Sequence, residues 1–213
     1  MQRALAATRR AVESNPLSPS ARDALITALL NSDQVEAARN ELRKSEQLWP
    51  GATNVLQSRF AVEFRAGDPG RALQIMQSGE LGAAFVTNAA HESYLRARIN
   101  PTAGNKELAV INARALYMKD PTASWVYARA LAEFGKHEQL VEFLLESDPR
   151  LPYTTTWVIF RPNFAALHRD PRFMVIAHRF GVSEFWRDTG LWPDFCARPD
   201  LPYDCKAEAA KLG

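Results

Sequence analysis

Cys196 and Cys205 are the residues of this 213-residue chain best placed for covalent chemistry. They enclose Ala197-Arg198-Pro199-Asp200-Leu201-Pro202-Tyr203-Asp204. Three states are open to them. A disulfide would close a short loop and contribute roughly 2–3 kcal/mol in the chain-entropy model. Free buried thiols are the ordinary state of a cytosolic chain. A metal site is the third. Two prolines, weak periodicity and the lack of a helix to hold the segment favour the disulfide. The histidines, His91, His137, His168 and His178, are scattered. His168 and His178 could join the cysteines around zinc, but zinc sites use tight pairs such as C-x2-4-C or H-x3-5-H. Spacings of 10 and 9 do not fit that pattern, so the histidines read as surface or capping residues. Neither GxGxxG, GxxxxGK[ST], HExxH nor GxSxG occurs, and Glu142, Glu146 and Asp148 read as a solvated helix end. We therefore expect no enzyme, no catalytic residue, no cofactor and no metal.

The elements that carry these residues belong to an ordinary globular composition. Charged residues are 23% and hydrophobic ones 46%, unlike a disordered chain. Net charge is +2, which makes no electrostatic case for a nucleic acid or a membrane surface. Arg161, Arg169, Arg172, Arg179, Arg187 and Arg198 make the C-terminal third locally basic. Arginines lying over aromatic faces explain that better than stacked bases do. No apolar run approaches the ~20 residues that span a bilayer. Met1-Gln2-Arg3-Ala4-Leu5 does not open a secretory signal.

Periodicity organises the first two thirds. Pro16 and Pro50 each close a helical pattern, and they lie about 34 residues apart, a spacing typical of helical repeats. Asp120-Pro121 and Asp148-Pro149 are later closures. A proline cannot continue a helix, and it biases the preceding residue away from αR. In a unit from Pro19 to Ala52, Leu25 and Leu29 fall on the first helix, and Ala38, Leu42 and Ser45 on the second. Antiparallel helices need such small residues where they cross. This unit resembles the tetratricopeptide repeat, a helix–turn–helix of about 34 residues. Gly67-Asp68 with Arg71-Ala72-Leu73 continues the pattern, as do Ala128, Leu131, Gly135 and Leu140. Residues 83–119 make a longer, irregular pair with its turn at Asn100-Pro101-Thr102-Ala103-Gly104. The resemblance implies an all-α fold: a right-handed helical-hairpin solenoid over residues 1–149, its first repeat incomplete. Residues 1–16 match only a second helix, with Ala4, Ala11 and Pro16 on the small, small and proline positions. The expectation is a longer chain that supplies the partner helix; the alternative is that helix 2–14 is itself a cap.

From Leu151 the period stops and aromatics crowd in: Tyr153, Trp157, Phe160, Phe164, Phe173, Phe180, Phe185, Trp186, Trp192 and Phe195. Helices are expected at about 155–168, 171–180 and 183–189. Asp170 and Ser183 are the expected N-caps, and Gly181 and Gly190 the expected stops. Residues 150–213 thus read as an aromatic-rich helical cap with an irregular tail. Leu167-His168-Arg169-Asp170-Pro171-Arg172-Phe173, Arg179-Phe180-Gly181, Phe185-Trp186-Arg187 and Trp192-Pro193-Asp194-Phe195-Cys196 resemble a tail found on proteobacterial tetratricopeptide proteins. The resemblance implies service in a larger regulator, in some members a membrane-bound transcriptional regulator. The segment would then be periplasmic, and a disulfide would suit it; otherwise it would be cytoplasmic.

In that family the first helix of each repeat lines a concave face that holds peptides or helices. Carried over by position, the resemblance implies partner-binding roles for Asp23, Thr27 and Asn31, for Asn54, Gln57 and Arg65, for His91, Tyr94 and Arg98, and for Trp125 and Arg129. The family's carboxylate clamp is not reproduced as a set. The expected function is a non-catalytic protein- or peptide-interaction or sensing module. A stand-alone scaffold or adaptor is the first alternative, and a small-molecule sensor with an aromatic pocket the second. A homodimer stays open.

Overall fold

Helix starts in this chain are written in prolines and short polar caps. Ser18 accepts a hydrogen bond from the Ala21 amide ahead of Pro19, and Asp68 accepts from Gly70 and Arg71 ahead of Pro69. In both, proline occupies the first turn, where a missing N–H costs nothing. The computed structural model describes residues 2–81, 89–148 and 158–213. Those residues are all-helical, with thirteen α-helices and no strand among them.

The chain divides into two compact units, the first ending at Ala109 and the second spanning Val110–Gly213. The first contains α1 (Gln2–Ser14), α2 (Pro19–Asn31), α3 (Val35–Leu48), α4 (Thr53–Ala66), α5 (Pro69–Ser78) and α6 (Ala89–Ile99). The division falls within α7 (Ala103–Lys119). The second unit continues with α8 (Ser124–Glu133), α9 (His137–Glu146), α10 (Ala165–His168), α11 (Arg172–Arg179), α12 (Val182–Thr189) and α13 (Cys205–Ala210). The domain boundary expected at residue 149 falls on residues outside those described; α9 and α11, on either side of it, pack together in the second unit.

The helices form hairpins. The helices α3, α5, α7 and α9 begin at Val35, Pro69, Ala103 and His137, evenly spaced by the same step that separates Pro16 from Pro50. Equivalent turns are built alike. The amide of Gln34 donates to the Leu29 carbonyl and that of Lys136 to the Leu131 carbonyl, both at 2.9 Å. The turn needs a left-handed residue, supplied by Asp33 (φ 58°) in one hairpin and Gly135 (φ 71°) in the other. Asp is among the few side chains that tolerate this conformation.

In the first unit α2 packs on α1, α3 and α4, α4 packs on α3 and α5, and α5 on α6. Leu5, Leu25, Ile26, Leu29, Leu42, Val55 and Val62 fill the space between them. Each such buried side chain stabilises the fold by ~1.5–3 kcal/mol relative to exposure. Ala38 and Ala72, one repeat apart, are fully buried and let their neighbours approach closely. Arg22 is buried as well. It pairs with Glu41 at 2.6 Å, donates to the Pro16 carbonyl and lies over the Trp49 ring.

In the second unit α8 packs on α9, α9 on α10 and α11, and α11 on α12 and α13. The C-terminal helices differ from their expected bounds. Pro162 starts a 3-10 turn, Pro162–Phe164, and α10 covers just Ala165–His168; residues 155–157 are outside the described set. Asp170 accepts from the Arg172 amide at 2.9 Å, as a capping residue does. Gly181 (φ 69°) lies between α11 and α12. Ser183 is not the cap. It is buried within α12, with its hydroxyl 3.3 Å from His178 Nδ1. Gly190 (φ 66°) follows the end of α12.

Candidate partner-binding face and aromatic end

The helices α2, α4 and α6 position most of the side chains expected to meet a partner. Several are tied to a neighbouring helix at the repeat distance. Ser58 donates to Asp23 at 2.6 Å, Asn54 to Ser20 at 3.3 Å and Arg65 to Asn31 at 3.3 Å. Arg98 donates to the Phe64 carbonyl and lies 5.9 Å over the Tyr94 ring. The offsets are 34 residues, and 35 for the Ser58–Asp23 pair. Each of these four bonds thus joins near-equivalent positions of successive hairpins.

The eleven expected residues do not behave alike. Thr27 and Gln57 are half-buried. Asp23, Asn31, Asn54, Arg65 and Arg98 are half-buried too, but they already engage neighbouring helices. His91 and Tyr94 are buried, and both pack against the ring of Phe64, at 5.8 and 5.2 Å. Trp125 and Arg129 belong to the second unit. Arg129 is buried with its guanidinium 4.9 Å over the Trp125 ring, a cation–π contact. Ser20, Ser58 and Phe64 complete the network and were not marked in the sequence. Their offset by one repeat from the marked residues was the signal that could have found them.

The aromatic end is centred on His168. The expectation that the histidines lie on the surface or at caps does not hold for His168, which is 6% exposed, or for His91. His168 stacks on Phe195 with ring centroids 4.5 Å apart and planes 11° apart, and meets Phe173 edge-on at 5.1 Å. Its Nε2 lies 2.7 Å from the Ile159 carbonyl. A carbonyl only accepts, so this nitrogen carries the proton. The Tyr203 hydroxyl donates to the carbonyl of His168 at 2.6 Å. Burial pushes the His168 pKa below its ordinary 6.5, and the charge of Arg198 acts in the same direction. Burial also holds the Tyr203 phenol above its usual range. Phe160 and Trp186 add edge-on contacts at 6.0 Å, and Trp192 lies against Trp186. Tyr153 and Trp157 are outside the described residues.

Cys196 and Cys205 form a disulfide with Cα atoms 5.7 Å apart. Disulfide sulfurs have no thiolate to offer a metal, and His168 Nε2 is committed to Ile159. Among the described residues no cluster of three or more His, Cys, Asp or Glu side chains could hold an ion, and no helix is long and apolar enough to cross a membrane.

A charged cluster joins α9 to the start of α11. Arg172 pairs with Asp170 at 2.6 Å and with both oxygens of Glu138, and His137 lies 2.8 Å from Asp170. The guanidinium of Arg172 holds the Asp170 carboxyl well below the usual carboxylate range. With every partner inside the cluster, it serves the join between helices.

No family model matches the chain, and neither a curated protein nor a solved structure matches it.

Proposed function

We propose that the protein is a non-catalytic interaction module, a tetratricopeptide-like array of helical hairpins that binds an extended peptide or a helix across α2 and α4. One observation supports this above the rest. Successive hairpins repeat at 34 residues, and their first helices exchange hydrogen bonds between near-equivalent positions. Such an array lines up a row of polar side chains with a constant step, which an elongated ligand can follow. Thr27 and Gln57 are the half-buried members of that row for which no hydrogen bond to a neighbouring helix is seen among the described residues. They are the places where a ligand meets least competition. In this reading the segment serves a larger bacterial regulator, and its aromatic end closes the second unit.

The test is a selection from a displayed peptide library, followed by titration of the winning peptide against variants. Thr27→Lys and Gln57→Lys should each weaken binding about tenfold, a change of ~1.4 kcal/mol, with far-UV circular dichroism unchanged. Arg65→Ala and Arg98→Ala are poorer probes, because those side chains also hold neighbouring helices together. Unchanged affinity in both lysine variants would remove the α2–α4 face from the proposal.

A further inference from the structure

The disulfide joins two short segments, and each holds His168 in its own way. Cys196 lies in the 3-10 turn Asp194–Ala197, whose Phe195 stacks on the His168 ring. Cys205 begins α13, and Tyr203, two residues before it, donates to the His168 carbonyl. We infer that the Cys196–Cys205 bond is a redox-operated latch: oxidised, it clamps the C-terminal tail onto the aromatic cluster around His168, and reduced, it lets that tail go.

The balance of forces on the tail is the argument. The helix α13 has six residues, far fewer than a helix needs to persist alone in water. Its buried residues are Cys205 and Ala209. Besides the disulfide, it is held by packing against α11 and α12, the Tyr203 bond, and an ion pair of Arg169 with Asp200. Both members of that pair are more than half exposed, and an exposed pair adds little. Once the covalent bond is gone, the burial of Phe195, Cys205 and Ala209, the half-buried Tyr203 ring and its one hydrogen bond must offset the ordering of the loop between the cysteines and of α13. They are too few to do so.

The chemistry requires a dithiol reductant. Cys196 is half-buried and Cys205 is 3% exposed, so Cys196 is the more accessible of the two residues. A thiolate of the reductant attacks Cys196 Sγ and displaces Cys205 Sγ as a thiolate, which takes up a proton. The second thiol of the reductant then resolves the mixed disulfide. Two electrons and two protons end on the protein sulfurs, and the reductant leaves as its own disulfide.

The test uses the full chain with dithiothreitol. Thiol titration first establishes that both cysteines are reduced. Two signals then report on the latch. The ring protons of His168, identified by their loss in His168→Gln, lie under the Phe195 ring in the oxidised protein. On reduction they should move downfield towards the positions of an unstacked histidine. Tryptic cleavage after Lys206, which requires α13 to open, should speed up about tenfold or more. The double variant Cys196→Ser with Cys205→Ser should show both changes without reductant and no further response to it. The latch is overturned if both signals stay unchanged with two thiols free, since the bond is then a passive brace. It is overturned equally if reduction abolishes the far-UV helical signal, since the bond is then a condition of folding.

Discussion

The two units reach order by different means. In the first, one arrangement repeats: a hairpin, a buried alanine at the crossing, and a polar contact to the equivalent position of the next hairpin. In the second, beyond α9, bonds still span 33 to 35 residues, but no two of them join the same kinds of group. The helices shorten to eight, eight and six residues in α11, α12 and α13. Their order comes from dissimilar fastenings: a buried imidazole, an arginine shared by two carboxylates, and a disulfide. A repeated contact tolerates the loss of one copy better than a single fastening does, because neighbouring copies remain. The aromatic end should therefore be the more brittle region.

The largest effect should follow from emptying its centre. Phe173 is fully buried and meets Phe160, His168 and Phe195 edge-on. Phe173→Ala should cost about 3–5 kcal/mol, read as a drop in the denaturant midpoint followed by near-ultraviolet circular dichroism. A cost below about 1 kcal/mol would mean that the cluster does not organise the second unit.

The repeat itself is sharpened by a pair of substitutions on one register position. Ala38 is fully buried on α3, whereas Ala4, one repeat earlier on α1, is exposed. Ala38→Leu overpacks a close helix crossing and should cost about 1–3 kcal/mol. Ala4→Leu should stay within about 0.5 kcal/mol of the parent. Chemical denaturation of both variants decides the matter. Equal costs would show that the two positions do not differ in their neighbours as the structure has them.

These contrasts follow what each region writes into its residues. Pro16, Pro50 and the small residues at Ala38, Ala72 and Ser45 record the repeat locally, so the hairpins of the first unit were legible in the sequence. The face residues were legible as positions on a helix but not as partners. Asp23 engages Ser58, and Asn31 engages Arg65, because two helices lie side by side. The rings around His168 were legible as an aromatic crowd, but its polar partners were not. Its partners are a backbone carbonyl nine residues away and a tyrosine 35 residues away, and a backbone acceptor has no side-chain signature. The helix expected from 155 failed for a local reason that was present, Pro162, which opens a 3-10 turn and leaves α10 four residues.

The smallest effect should be a dependence on pH just below neutrality that arises in the second unit. His168 is held neutral by burial, so its folded pKa lies below the unfolded value near 6.5. The unfolded chain then binds more protons than the folded one as pH falls below that value. The contribution is intact above pH 6.5 and is lost as pH falls through the depressed folded value. Asp170 acts lower on the scale. Its carboxyl is depressed by Arg172, so its contribution is intact above about 3.8 and is lost in stronger acid. Thermal unfolding of the oxidised protein should therefore show a midpoint that declines as pH falls below about 6.5, with a further loss below about pH 4. His168→Phe keeps an aromatic ring for Phe195 to stack on but cannot be protonated. It should flatten the upper decline and leave the loss in stronger acid in place. A decline of unchanged slope in His168→Phe would assign it to other groups and reduce the imidazole to a packing element.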